Sequence, residues 1–430
     1  MINELKIAIA GLGTIGSGTV TLLNQQNDLL INRTGRHLRL VSCSALKMPT
    51  NLPLDNIPFF SDAREMIKTV DFDILIELIG GADDVALDIV TTTLKQARHV
   101  VTANKAMIAH HGHTLAILAE QTGVTFGFEA AVAGGIPIIK VLREGLAANS
   151  LSQIYGILNG TCNYILTTMR KSGREFNDVL AESQSLGYAE ADPSLDIDGL
   201  DTAHKLSILT SLTFGTIIDF SKVHIEGIRN ISTFDINSAE ELGYSIKLLG
   251  IARHTENGIE QRVHPCMVPI HSSIGHVDDV FNAIVAEGPF IGRTLFEGRG
   301  AGAIPTASAV IADILDIASG RYTPTFGIPA KKLIPLQIAS MKDHRSSFYI
   351  RLTVLNRSGV FAKIAAAFRD EKISMEAILQ RRHVSDKEII PVVITVHDTL
   401  EYLVLRVINR IQTIQEIVKS PYMIRMETLL

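Results

Sequence analysis

A short apolar run at residues 5–10 ends directly in Gly11-Leu12-Gly13-Thr14-Ile15-Gly16, and apolar residues at Val20, Leu22, Leu23, Leu29 and Leu30 follow in helical spacing. Strand, glycine turn and helix in that order are the context a dinucleotide-binding fingerprint needs. Gly11 permits the tight turn. Gly13 lets the backbone at Thr14 and Ile15 approach a pyrophosphate, and Gly16 lets helix and strand pack closely. The alternative is a tight turn in some other α/β unit. A second strand is expected at residues 38–45. It ends Ser44-Ala45-Leu46-Lys47, with no acid to hold ribose hydroxyls, and Lys47 could neutralise a 2′-phosphate. That points to NADP rather than NAD. Residues 73–77 read as a further strand ending in Gly80-Gly81. Residues 85–97 read as a helix, and residues 99–101 as a strand that runs into Thr102-Ala103-Asn104-Lys105. Ligands of open α/β sheets sit beyond the carboxyl ends of strands, which is where Lys105 stands. His110, His111 and His113 open the next helix without a partner cluster, which argues against a metal there.

The second constraint is residues 188–205, with five carboxylates from Glu190 to Asp201 (Asp192, Asp196 and Asp198 between them) and Lys205 at the end. Pro193 and Gly199 mark the first part as a loop, and a helical pattern starts near Gly199. On that helix Asp201 and Lys205 are four apart and share a face, while Asp198 stands where it can cap free backbone donors. A solvated ion pair is the bland reading. Five carboxylates around one lysine make better sense lining a pocket for a cationic group such as an ammonium. Asp196-Ile197-Asp198-Gly199 lacks the oxygen spacing and terminal Glu of a calcium loop.

Residues 124–129 read as a strand, followed by the small-residue loop 130–137 and a helix from Ile138. A second sheet starts at residues 152–158, where Asn159-Gly160-Thr161 is either an ordinary turn with a Thr cap or a donor set for a carboxylate. Further strands are expected at 224–228, 246–252 and 261–265. Gly298, Gly300, Gly302 and Pro305 precede a helix at 309–318. The last 85 residues read βαββαβ, a ferredoxin-like order.

The chain has 430 residues, room for two or three domains, and a net charge of −5 without a basic block, which argues against nucleic acid. No apolar run is long enough for a bilayer, and the N-terminus reaches glycine too soon for a signal peptide. Cys43, Cys162 and Cys266 are far apart with no CxxC, as expected of reduced thiols in a cytoplasmic protein.

The 188–205 stretch, with its Asp192-Pro193, Gly199-Leu200-Asp201 and Lys205, closely resembles the corresponding stretch of homoserine dehydrogenases. Ser183, four residues before Gly187, replaces a common Ala at a packing position. The resemblance implies an α/β fold in three parts. These are a Rossmann-type domain at 1–137 that regains 303–320, an α+β catalytic and dimerisation domain with a mixed sheet at 138–302, and a C-terminal ACT domain at 346–430. Residues 321–345 would be a linker. The implied reaction is reversible NAD(P)H-dependent reduction of L-aspartate 4-semialdehyde to L-homoserine, in threonine, methionine and isoleucine biosynthesis. Lys205 would donate the proton, assisted by Lys105 and Asp201, with Gly187, Glu190, Asp196 and Asp201 holding substrate. Lys105 and Gly302 would also contact the cofactor. Glu129 and the carbonyls of Val132, Gly134 and Ile136 would hold sodium or potassium, although a close-packed hinge explains that loop equally. ACT domains usually carry an Asp two residues before Pro-Gly. Here Asn356 and Ser358 stand instead, leaving threonine sensing and a purely dimerising module both open. A homodimer or homotetramer is implied. The alternatives are another semialdehyde or amino-acid dehydrogenase on the same first domain and a non-enzymatic amino-acid sensor with a degenerate cofactor domain. The first lacks a cysteine placed for acyl-enzyme chemistry. The intact glycine and carboxylate–lysine motifs oppose the second.

Overall fold

The structure, a computed structural model, describes residues 3–50, 52–54, 56–380 and 388–429. Strands β1 (Asn3–Ala10), β2 (Arg36–Ser44), β3 (Phe59–Phe60), β4 (Ile74–Glu77), β5 (His99–Thr102) and β6 (Phe126–Gly127) form a parallel sheet in the order β3-β2-β1-β4-β5-β6. The order reverses between β1 and β4, so a crevice opens beyond their carboxyl ends. Ile7, Ile9, Ile74 and Ile76 are wholly buried, as expected of strands covered on both faces. The late helix Ala303–Ala318 returns to this core through Val310 and Ile314. It comes so close to the fingerprint helix Thr14–Gln25 that a Cβ on Gly18 would lie 2.7 Å from the Ala303 carbonyl oxygen.

The remaining strands make one mixed sheet. They are β7 (Gln153–Ile157), β8 (His224–Ile225), β9 (Tyr244–Thr255), β10 (Gly258–Pro269), β11 (Phe281–Gly288), β12 (Gly292–Arg299), β13 (Arg345–Leu355), β14 (Met375–Gln380), β15 (Ile389–Leu400) and β16 (Ile417–Met426). The order is β12-β11-β7-β9-β10-β16-β13-β15-β14, with β8 also on β10. The β11–β12 hairpin has no counterpart among the strands read from sequence. Its outer strand alternates half-buried and exposed residues around a single apolar pair, Leu295-Phe296, and resembles a loop. The C-terminal βαββαβ module does not stand apart either. Cys266 and Met267 of β10 pair in parallel with Arg425 and Met426 of β16, fusing its sheet to the catalytic one.

Residues 321–345 are no free linker. Phe326 and Ala330 are buried, the Glu120 carboxylate accepts the Ala330 N–H at 2.9 Å, and Ile334 and Ile338 bridge to Thr216 and Ile259. The segment is a strap across the catalytic layer. No helix among the described residues is long and apolar enough to cross a membrane.

The junction of the two halves of the mixed sheet holds two buried arginines. Arg425 donates to Glu401 at 2.6 and 2.7 Å and to Glu226 at 2.9 Å, and Arg262 donates to Glu427 at 2.6 Å. Removing one partner of such a pair strands a buried charge. Arg425→Met is therefore expected to lower unfolding free energy by about 3–5 kcal/mol in denaturant titrations. A loss within ~0.5 kcal/mol would show that the junction does not depend on this network.

Candidate active site

Each fingerprint glycine has a separate steric reason. Gly11 has φ +101°, and a Cβ there would lie 2.5 Å from the Leu78 carbonyl oxygen; one on Gly16 would lie 2.1 Å from that of Gly11. A Cβ on Gly13 would meet nothing within 4 Å, so Gly13 faces open space. It caps the helix Thr14–Gln25, which has no side-chain cap and no acid in its first turn. Free N–H groups at Thr14 and Ile15 therefore face that space, which fits a pyrophosphate. Lys47 is exposed just past β2. Across the cleft Gly302, φ +119°, starts the returning helix.

Lys105 is held by a polar relay. Buried Glu77 accepts from Thr102 Oγ1 at 2.6 Å and from the Ile79 N–H at 2.7 Å. Thr102 Oγ1 accepts the Asn104 N–H at 2.9 Å, and Asn104 Oδ1 caps the helix Lys105–Thr122 by accepting the Met107 N–H at 3.0 Å. Lys105, the first helical residue, then reaches Asp201 Oδ1 at 2.8 Å.

Asp201 Oδ2 accepts from Lys205 Nζ at 2.7 Å and from Asn159 Nδ2 at 2.8 Å. Lys205 Nζ also donates to the Leu158 carbonyl at 2.7 Å. Two of its three N–H bonds are thus used and one is left for the cleft. Asn159 Nδ2 bridges on to Asp196 Oδ1 at 2.7 Å, while its Oδ1 caps the helix Gly160–Ser172 through the Cys162 N–H at 2.8 Å. The capping residue at that turn is thus Asn159, not Thr161, whose hydroxyl donates to the Tyr188 carbonyl at 2.8 Å. Burial works against the Asp201 charge, but Lys205 and Lys105 outweigh it and hold its carboxyl well below the usual carboxylate range. Asp201 in turn raises the Lys105 ammonium, against the opposing effect of burial. Burial and then the Asp201 charge raise Asp196.

The five acids do not act alike. Glu190, Asp192, Asp196 and Asp201 line the cleft with Lys105. Asp198 neither lines it nor caps the helix Leu200–Phe214, whose cap is Gly199 at φ +87°. It is paired instead with the Arg229 guanidinium, at 2.9 Å to Nη2. Asp201 has both oxygens on protein lysines, so it does not present a free carboxylate to an ammonium. Gly187, φ +75°, lies on the cleft wall beside Tyr188 and Glu190. Ser183 is fully buried, as a packing position should be. The cleft has two lobes meeting at Lys105, Asp196 and Asp201. One is about 450 Å³ and reaches Gly80, Gly81 and His204; the other is about 530 Å³ and reaches Thr14, Gly134, Lys205 and Gly302.

His204 carries no signal in the sequence, being one histidine inside a helical pattern. It stacks on Phe220 at 4.4 Å between ring centroids and meets His110 edge-on at 5.7 Å. His111 and His113 go elsewhere, to Asp83 and to the Ala330 carbonyl.

The loop after β6 turns at Glu129–Ala131 and is buried at Val132, Gly134's neighbour Ala133 and Ile136. The Glu129 carboxylate accepts the N–H groups of Ile139 and Lys140 at 2.9 and 2.8 Å. It thereby caps the helical run that starts at Ile138 and continues as a π-helical turn, Val141–Gly145. Burial and neighbouring Asp313 push the Glu129 carboxyl up to about 7.

Family models place this chain. Residues 11–129 match the model described as homoserine dehydrogenase, NAD binding domain, and residues 137–315 match homoserine dehydrogenase. A homoserine dehydrogenase of Neisseria gonorrhoeae is 41% identical over 99% of both chains. The chain belongs to the homoserine dehydrogenase family. The Bacillus subtilis homoserine dehydrogenase is 35% identical over 98% of both chains. The crystal structure of a homoserine dehydrogenase from Thiobacillus denitrificans is 40% identical, with a TM-score of 0.93 over 100% of this chain and 99% of that one. A hyperthermophilic archaeal homoserine dehydrogenase in complex with NADPH is 26% identical, with a TM-score of 0.64 over 75% of this chain and 99% of that one.

Burial and then His110 lower His204 to about 4, so it is neutral in the folded state at pH 7. As pH falls from about 6.5, the unfolded chain binds a proton that the folded one refuses, so stability drops until the folded value is reached. His204→Gln is expected to remove about 1–2 kcal/mol of that drop between pH 7 and pH 4.5, read from denaturant midpoints. Identical pH dependence in variant and parent would contradict the burial of a neutral imidazole.

Proposed function

We propose that the chain reversibly reduces L-aspartate 4-semialdehyde to L-homoserine, with Lys205 as the proton donor. The observation that carries this reading is the bridge Lys105–Asp201–Lys205 at 2.8 and 2.7 Å at the meeting point of the two lobes. The nicotinamide, when bound, supplies the hydride. As hydride reaches the carbonyl carbon, negative charge grows on its oxygen, which must meet a cation and a proton. The remaining N–H of Lys205 is free to deliver that proton, and Lys105, kept protonated by Asp201, is the second cation. In the reverse direction the neutral Lys205 amine takes the hydroxyl proton.

With Asp201 occupied by the lysines, the substrate ammonium falls to Glu190, on the rim, and to Asp196, with the Gly187 backbone beside them. Thr14, Ile15 and Gly302 support the dinucleotide. Lys47 at the end of an acid-free β2 favours NADP, in line with the NADPH bound to the archaeal relative. Sodium or potassium held by Glu129 and the carbonyls of Val132, Gly134 and Ile136 is part of the same proposal. The reading rests on a buried carboxyl whose charge is opposed by burial and Asp313 and which a cation would relieve. We assign the βαββαβ module to the ACT type, whose role is either amino-acid sensing or dimerisation. An unpaired edge at β12 and the exposed Phe290 beside it favour assembly with a second copy. Three buried free thiols suit a reducing cytoplasm.

Lys205→Ala is expected to lower turnover of homoserine oxidation by about 10²–10⁴-fold while NADPH binding, read by fluorescence titration, stays within two-fold. Turnover within about three-fold of the parent would remove Lys205 from the proton step.

A further inference from the structure

Asn282, on β11, is buried to 1% exposure, yet neither amide atom has a hydrogen-bond partner. Among the described residues no other amide side chain leaves both of its polar atoms buried and unpaired. Its neighbours are fully used: Asn159 serves Asp196, Asp201 and the Cys162 N–H, and Asn163 serves the carbonyls of Val277 and Phe281 and the Lys247 ammonium. A buried unpaired amide is costly, and native proteins rarely keep one without a use.

The surroundings say where a partner would come from. Asn282 lines the same cleft as Lys205, Asp201 and Gly302. A Cβ on Gly300 would fall 2.0 Å from Asn282 Nδ2 and 2.6 Å from its Oδ1, and one on Gly160 would fall 3.7 Å from Oδ1. The amide therefore lies between two glycines, and the backbone of the 300–302 loop approaches it as only glycine allows. That loop leads through Gly302 into the helix packed on the fingerprint helix at Gly18. Asn282 thus lines the same lobe as the fingerprint residues Thr14 and Ile15 and the Gly302 that starts the returning helix.

We propose that the Asn282 side chain recognises the carboxamide of the nicotinamide ring and so fixes which edge of the ring faces the substrate. The chemistry of the unpaired atoms selects this ligand group. The Nδ2 donors and the Oδ1 acceptor lie side by side on a planar amide, and a second carboxamide answers both atoms at once. A carboxylate accepts only and would leave Oδ1 unpaired; an ammonium donates only and would leave Nδ2 unpaired. Holding the carboxamide fixes the ring's rotation about its glycosidic bond, and with it the position of the hydride-bearing carbon. Asn282 is in this sense a cofactor-binding residue for the dehydrogenase reaction proposed above, on which the inference rests.

The test pairs a variant with a cofactor analogue. The 3-acetylpyridine dinucleotide keeps the carbonyl acceptor but has no N–H to give. In the absence of substrate, the parent enzyme is expected to show about ten-fold or more higher Kd, read by fluorescence titration, for the analogue than for the natural dinucleotide, and the KM in homoserine oxidation is expected to follow it. Asn282→Ala should raise KM for the natural dinucleotide by about ten-fold, abolish the discrimination against the analogue, and leave the homoserine KM within two-fold. Asn282→Ser, smaller but polar, gives the same reading if the alanine variant does not fold. The inference is overturned if the parent does not discriminate between the two cofactors, which needs no variant. It is also overturned if the variants raise only the homoserine KM, or change neither constant. Activity of the parent with homoserine stands through any of these results, so the failure of this inference is separable from failure of the dehydrogenase reading.

Discussion

One carboxylate holds two lysines from opposite sides of the cleft. Lys105 comes from the edge of the parallel sheet, Lys205 from the helix Leu200–Phe214, and Asp201 takes one on each oxygen. Burying the Asp201 or the Lys205 charge alone costs several kcal/mol, and half-exposed Lys105 supplies the second counter-charge from the cleft. Together they form a compact group whose net charge is positive, placed where an oxyanion is to form. The arrangement also fixes the distance between the cofactor half and the catalytic half of the molecule, because breaking the bridge would strand a buried charge.

The rest of the architecture serves to present that group. The Glu77–Thr102–Asn104 relay fixes the helix start from which Lys105 reaches, and Asn159 ties Asp201 to Asp196 and to the first turn of another helix. Glycines set the clearances. Gly11 and Gly16 let strand and helix touch, Gly18 admits the returning helix, and Gly300 admits the loop beside Asn282. At the far end the buried Arg425 and Arg262 networks fuse the C-terminal module to the catalytic sheet. The module is therefore joined to β10 by strand pairing as well as by buried ion pairs.

Local pattern made the nucleotide half and the Asp201–Lys205 side of the bridge legible, while the pairing of Lys105 with Asp201 was not. A strand–glycine–helix order and an Asp–Lys pair four apart each determine geometry over a few residues. What the sequence concealed depends on pairing at a distance. The hairpin β11–β12 has too few apolar residues on its outer strand to announce itself. The parallel pairing of Cys266 with Arg425 joins segments 159 residues apart. The strap at 321–345 is made by burial of Phe326 and Ala330, which charged neighbours disguise. Within the site, Asp198 counted as one more acid until Arg229 drew it away, and Asn159 counted as a turn residue until its amide met two carboxylates. Partner choice among like residues is a three-dimensional property.

The bridge makes a definite claim about charge: Asp201 is the counter-charge that both lysines share and that raises the Lys105 ammonium. The most direct measurement is the pH dependence of semialdehyde reduction for the parent and for Asp201→Asn, with cofactor and substrate saturating. The account predicts that the alkaline limb moves to lower pH by about one unit or more in the variant, because Lys105, the second cation at the forming oxyanion, then loses the counter-charge that raises it. An alkaline limb at the same pH in both enzymes would contradict it.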